Sequence, residues 1–137
     1  MPRYMLDTDI CSYIIRRSSA PVMRKLRNVA VGEVCISVVS KAELLYGVEV
    51  SPRHKQDEAA VELFLRHVQV LEFPDEAALH YATIRAHLKA RGEMTGSNDL
   101  FLAAHARSLG LVLVTNNTRE FGRIPGLATE NWTLSRS

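Results

Sequence analysis

The chain predicts an α/β domain in which a mostly parallel sheet is covered by helices on both faces. Three observations carry that expectation: apolar runs of strand length recur along the sequence, helical patterns separate them, and Gly, Pro, Asn and Asp punctuate the joints. At 137 residues the chain is long enough for one continuous core without covalent staples, so a single domain over 1–137 is expected.

Arg3 to Leu6 reads as the first strand, and Thr8 or Asp9 then caps a helix to about Arg17. A second short helix is predicted from Pro21 to about Val29, followed by a strand from Val34 to Ser37. Ser40 to Val50 is helical and Pro52 breaks it. The next helix, Glu58 to about Gln69, keeps Val61, Phe64, Leu65 and Val68 on one face. A strand follows from Val70 to Phe73, and Asp75 caps a long helix to about Arg91 whose Ala77, Tyr81, Ile84 and Leu88 recur at helical spacing. Gly92 and Gly96 frame a loop. Asn98 to Leu109 is apolar nearly all round and stops at Gly110, which predicts a helix lying deep against the sheet. Leu111 to Thr115 is the next strand, then come a helical turn near Thr118 to Phe121, a Pro125-Gly126 turn and a last strand around Ala128 to Trp132.

Three acids stand out against this pattern. Asp7 follows the apolar run Tyr4-Met5-Leu6; Glu43 has Val39, Tyr46, Gly47 and Val50 at helical spacings; Asp99 heads a stripe through Leu102, Ala103 and Ala106. Each has an ordinary explanation. Asp7 could orient a turn, Ser40-Lys41-Ala42-Glu43 matches a capping box, and Asp99 suits the first turn of a helix. None of these explains why all three fall on apolar stripes, where an ionised carboxylate costs several kcal/mol unless it is neutralised. Convergence on a divalent cation would neutralise them. Hard carboxylate oxygens suit Mg²⁺ or Mn²⁺, and the matching chemistry is phosphodiester hydrolysis. Asn116 and Asn117, after the strand ending at Thr115, are secondary candidates for binding substrate or water, with Glu120 a fourth acid at the rim.

Composition agrees with such a substrate without requiring it. The formal charge is only +2, yet up to residue 27 Arg3, Arg16, Arg17, Arg24, Lys25 and Arg27 face only Asp7 and Asp9; a basic flank suits a phosphate backbone. Cys11 and Cys35 lie in apolar runs and read as buried free thiols, in keeping with a cytoplasmic setting. The sequence has no leader-like start and no apolar run of membrane-spanning length, so no membrane role is expected. The five histidines lack zinc-site spacing, and His105 reads as a core or helix-surface residue.

Met5-Leu6-Asp7-Thr8-Asp9-Ile10, Ile36-Ser37 leading to Glu43-Leu44-Leu45-Tyr46-Gly47, Asn98-Asp99 leading to Ala103-Ala104-His105-Ala106, and Leu113-Val114-Thr115-Asn116-Asn117 with Glu120-Phe121 and Gly126-Leu127 run in order over essentially the whole chain. Together they resemble the PIN-domain ribonuclease toxins of VapBC type. The resemblance implies an α/β/α sandwich and a Mg²⁺- or Mn²⁺-dependent endoribonuclease cutting tRNA or rRNA. It also implies silencing by a VapB antitoxin whose C-terminal segment enters the active groove, and homodimerisation within the toxin-antitoxin complex. Asp7, Glu43 and Asp99 match the family's metal-binding acids. Asp9 stands where many members have Asn, and the fourth acidic position is here Asn116 or Asn117, leaving Glu120 as the nearest acid. Two other readings compete: a HAD-like phosphotransferase with Asp7 as nucleophile and Asp9 as acid/base, weakened by Cys11, and a catalytically inactive partner-binding domain.

Overall fold

The computed structural model of the chain describes residues 2–134. Among them, strands β1 (Tyr4–Leu6), β2 (Val34–Ser37), β3 (Gln69–Leu71), β4 (Val112–Val114) and β5 (Thr129–Glu130) form one sheet. Its order is β3-β2-β1-β4-β5 and every pairing is parallel. The helices are α1 (Thr8–Arg16), α2 (Ala20–Arg27), α3 (Val38–Glu49), α4 (His54–His67), α5 (Ala77–Ala90), α6 (Ser97–Leu109) and α7 (Thr118–Phe121).

Both faces of the sheet are buried because side chains alternate across a strand. Tyr4, Leu6, Val34, Ile36 and Val114 point to one side and pack with Ile10 and Cys11 of α1, Val22 of α2, Val48 of α3 and Val61 of α4. Met5, Cys35 and Leu113 point to the other, against Ile84 and Leu88 of α5, Leu100 and Ala103 of α6 and Phe121 of α7. The result is the α/β/α sandwich that the alternating pattern predicts. Both cysteines are buried and free, and no helix among the described residues is long and apolar enough to cross a membrane.

The chain lays β2 and β3 on one side of β1, then crosses to lay β4 and β5 on the other. The side on which the chain adds successive strands therefore switches between β1 and β4, all strands staying parallel, and such a switch point opens a crevice beyond their carboxyl ends, where such sheets bind ligands. Asp7 directly follows β1 and Thr115 directly follows β4. The Asp7 N–H donates to the Val114 carbonyl at 2.9 Å, holding the two strand exits side by side.

Helix boundaries differ from the sequence reading where capping was misjudged. Asp7 itself caps α1, its carboxylate accepting from the Ile10 N–H at 2.9 Å, in place of Thr8 or Asp9. Helix α3 begins at Val38 with Ser37 as its cap, so the Ser40-to-Glu43 capping box does not form and Glu43 lies in the second turn. Helix α5 begins at Ala77 without a side-chain cap, so Asp75 does not cap it, and α4 starts at His54, four residues ahead of Glu58. The buried stripe of α3 runs through Ser40, Leu44 and Val48, whereas Tyr46 is 68% and Val50 61% exposed. Glu43 thus sits at the edge of the buried face, not along its centre. Both sides of α3 are apolar, which is why spacing alone pointed to the wrong stripe.

Candidate active site

Asp7 is 5% exposed at the floor of the crevice. Burial raises its pKa from 3.8 to about 6; hydrogen bonds from the Thr115 side chain and the Ile10 backbone work against that rise, and the charges of Asp9 and Asp99 add to it. Asp99, half-buried in the first turn of α6, is also raised to about 6, first by desolvation and then by the charges of Glu120, Glu43 and Asp9. These mutual influences place the acids in one electrostatic neighbourhood.

Glu43 bridges the neighbours of both aspartates. The Thr8 hydroxyl, next to Asp7, donates to Oε1 at 2.5 Å, and the Asn98 amide, next to Asp99, donates to Oε2 at 3.2 Å. Glu120 is served in the same way on the far rim: the Thr95 hydroxyl donates to Oε1 and the Asn117 amide to Oε2 at 2.5 Å, and these two bonds lower its pKa.

Glu43 is thus tied to Thr8 beside Asp7 and to Asn98 beside Asp99, and Asp7 and Asp99 each feel the other acids' charge. Among the described residues, however, no three Asp, Glu, His or Cys side chains are drawn together tightly enough to form a ready-made metal cage. Like-charged carboxylates about 5 Å apart repel by roughly 3 kcal/mol per pair at an effective dielectric near 20, and Glu43 instead takes its two uncharged donors. The oxygens facing the crevice are hard donors carrying surplus negative charge, the chemistry that a Mg²⁺ or Mn²⁺ ion fits.

The secondary candidates separate. Glu120 joins the crevice, and Asn117 supports it. The exposed Asn116 instead donates to the Tyr13 hydroxyl at 3.0 Å. Asp9 is exposed in the first turn of α1 and acts on the site only through its charge. Sequence reasoning missed Thr115, fully buried and bonded to Asp7, together with the supporting roles of Thr8, Asn98 and Thr95. Thr8 and Asn98 could have been found as the polar residues immediately beside the two aspartates. Thr95 had no such signal, since only the fold carries its loop to α7.

Sheet order and crevice define a class: an α/β domain with an acidic centre at the carboxyl ends of a parallel sheet, suited to phosphate-ester chemistry. Residues 4–127 match the family model described as PIN domain. The chain is 42% identical over 132 residues to ribonuclease VapC2 of Haemophilus influenzae, across 96% of this chain and 99% of that one. It is 44% identical, with the same coverages, to the tRNA(fMet)-specific endonuclease VapC of Shigella flexneri. Among solved structures, DNA-bound VapBC from Salmonella typhimurium superposes with a TM-score of 0.90 at 41% identity, covering 96% of this chain and 99% of that one. VapBC2 from Rickettsia felis, bound to a promoter DNA fragment, gives 0.88 at 36% identity, covering 94% and 98%. The chain belongs to the PIN-domain family, among its VapC ribonucleases. That membership sets aside the HAD-like reading of Asp7 and Asp9.

Proposed function

We propose that the chain is a Mg²⁺- or Mn²⁺-dependent endoribonuclease toxin that cleaves structured RNA of the tRNA or rRNA class. Asp7, Glu43 and Asp99 hold the ion and Glu120 serves as a fourth acid. The observation that carries this reading is the pair of aspartates raised to about 6 beside two further carboxylates at the sheet's switch point. Such a pair is unfavourable without a counter-charge. The ion would supply Lewis-acid stabilisation of the charge that builds on the scissile phosphate. With pKa values of about 6, Asp7 and Asp99 are mostly ionised at neutral pH and would hold the ion as carboxylates. Glu43 is oriented by Thr8 and Asn98, and Glu120 stays ionised through its bonds to Thr95 and Asn117. Arg16, Arg24, Lys25 and Arg27 make no ion pair among the described residues, leaving them available to phosphates. The Shigella relative's specificity for tRNA(fMet) favours tRNA as the substrate class.

The partner is a VapB-type antitoxin, as in the VapBC complexes of related chains. Its inhibitory segment would enter the groove between α1, α3 and α4, which starts at Thr8 and Glu43 and continues past Arg16, Leu44, Arg53 and Ala60. The exposed Val38, Leu45 and Tyr46 of α3, with Val50 just after it, form an apolar face suited to a homodimer.

Sequencing of RNA ends after brief induction of the wild type and Asp99→Asn tests the assignment. Discrete new ends in the wild type that vanish in the variant are expected. Identical cleavage by both proteins in matched preparations would overturn it. A wild type that cuts nothing yet binds the antitoxin would establish the inactive partner-binding domain instead.

A further inference from the structure

Helices α3 and α6 each carry one acid of the crevice, and their relative position decides how far apart Glu43 and Asp99 stand. Two side-chain hydrogen bonds join them among the described residues. At the rim, Asn98 donates to Glu43 at 3.2 Å; at the base, His105 Nδ1 and the hydroxyl of Ser37, the α3 cap, lie 2.8 Å apart. Glu43 follows Ser37 by six positions, and Asp99 precedes His105 by six. The two helices thus run past each other in opposite directions, and the base contact lies about 9 Å of helix rise from each carboxylate.

The base contact is wholly enclosed: Ser37 and His105 are both 0% exposed. Burial lowers the imidazole pKa, so the ring is neutral, and the Glu72 carbonyl lies on it closely enough to favour a proton. Nε2 makes no well-formed hydrogen bond. The Ser37 oxygen already accepts from the Val39 N–H at 3.0 Å, which leaves its hydroxyl hydrogen free to be donated to Nδ1 of a neutral imidazole. The Phe73 ring closes the pocket edge-on, its centroid 5.3 Å from that of the imidazole. Polar groups so deeply buried are costly, and an apolar pair would fill the space without directional preference. A hydrogen bond permits one register only, since a slip of a single residue moves a helix by about 1.5 Å and turns it by about 100°.

We infer that Ser37 and His105 form a positioning pair that fixes the register of α3 against α6 and so sets the separation of Glu43 and Asp99 for the divalent ion. The inference rests on the reading of those acids as the ion's ligands. Both residues are fully enclosed, so their role is to position the acids and not to contact substrate.

The test is calorimetric titration of Mn²⁺ into the purified wild type, His105→Leu and His105→Asn, with thermal melts alongside. Leucine fills the space without a polar atom and should weaken Mn²⁺ binding by about tenfold, the loss typical of removing a partner that orients metal ligands. The half-saturating Mg²⁺ concentration for RNA cleavage should rise by the same factor while KM for RNA stays unchanged. Asn, whose side-chain oxygen can take the place of Nδ1, should recover most of the loss. Should the leucine variant not fold, Ser37→Ala breaks the same contact from the other side, with the same expected loss. A variant that melts earlier but binds Mn²⁺ as the wild type does would overturn the inference, because the pair would then be merely structural. A wild type without saturable Mn²⁺ binding would remove the ligand reading itself, and this inference with it.

Discussion

The floor and the rim of the crevice treat a carboxylate in opposite ways. On the floor, Asp7 is buried and Asp99 half-buried, both are crowded by like charge, and both are raised to about 6, first by desolvation. At the rim, Glu43 and Glu120 each receive one threonine hydroxyl and one asparagine amide, and for Glu120 this lowers the pKa. The difference teaches where the site stores its unfavourable energy. The floor is frustrated in a way that the proposed cation would relieve, whereas the rim is already satisfied by its own donors.

The sharpest way to break this comparison is to remove the floor's charge. Asp7→Asn or Asp99→Asn should lower ribonuclease activity by more than the roughly 10- to 100-fold that loss of a supporting partner costs, while the fold stays intact. At pH 8 without metal, Asp7→Asn should also melt higher than the wild type. A shift from 3.8 to about 6 is worth roughly 3 kcal/mol against the ionised form, an upper bound because the Asn is itself a buried polar group. A lower melting temperature would show that the floor is not frustrated.

The pH dependence sharpens the same point. Since the folded protein raises these two pKa values, it favours the protonated acids. The stability they lend is complete below about pH 4 and is lost as pH rises through about 6. Saturating Mn²⁺ should therefore raise the melting temperature more at pH 8, where both floor acids are ionised, than at pH 5. Equal shifts at the two pH values would place the binding elsewhere. A smaller effect belongs to the rim: Glu120→Gln should reduce activity by about tenfold, less than either aspartate variant, and an equal or larger loss would abolish the distinction between floor and rim. Smallest of all is Asn116→Ala. Its amide binds Tyr13 outside the cluster, so stability should change by no more than about 0.5 kcal/mol and cleavage should be unaltered; a large loss of activity would return Asn116 to the site.

Much of this was legible in one dimension. Short strands bounded by turn residues, an apolar α6 ending at Gly110 and the two free thiols all appear where local patterning places them, because periodicity and capping act over a few residues. Asp7 and Asp99 were legible for the same reason, being acids at the edge of apolar runs. Helix starts were read less well. Ser37 and Asp7 serve as strand-end residues and helix caps at once, and a residue with two local roles is easily assigned only one. Glu43 was singled out for a partly mistaken reason, since Tyr46 and Val50 of its supposed buried stripe face outward.

The amino-acid order by itself determined the element sequence and the parallel sheet with two covered faces, and it singled out three acids for the proposed site, since each follows from side-chain alternation, helical spacing or the cost of placing charge beside apolar neighbours. Only the tertiary structure decided that Thr95 and Asn117 meet at Glu120, that Asn116 turns away to Tyr13, and that Ser37 finds His105 across 68 residues of chain. Those contacts join elements far apart in sequence. Their partners are chosen by strand order and helix packing, which no local pattern encodes.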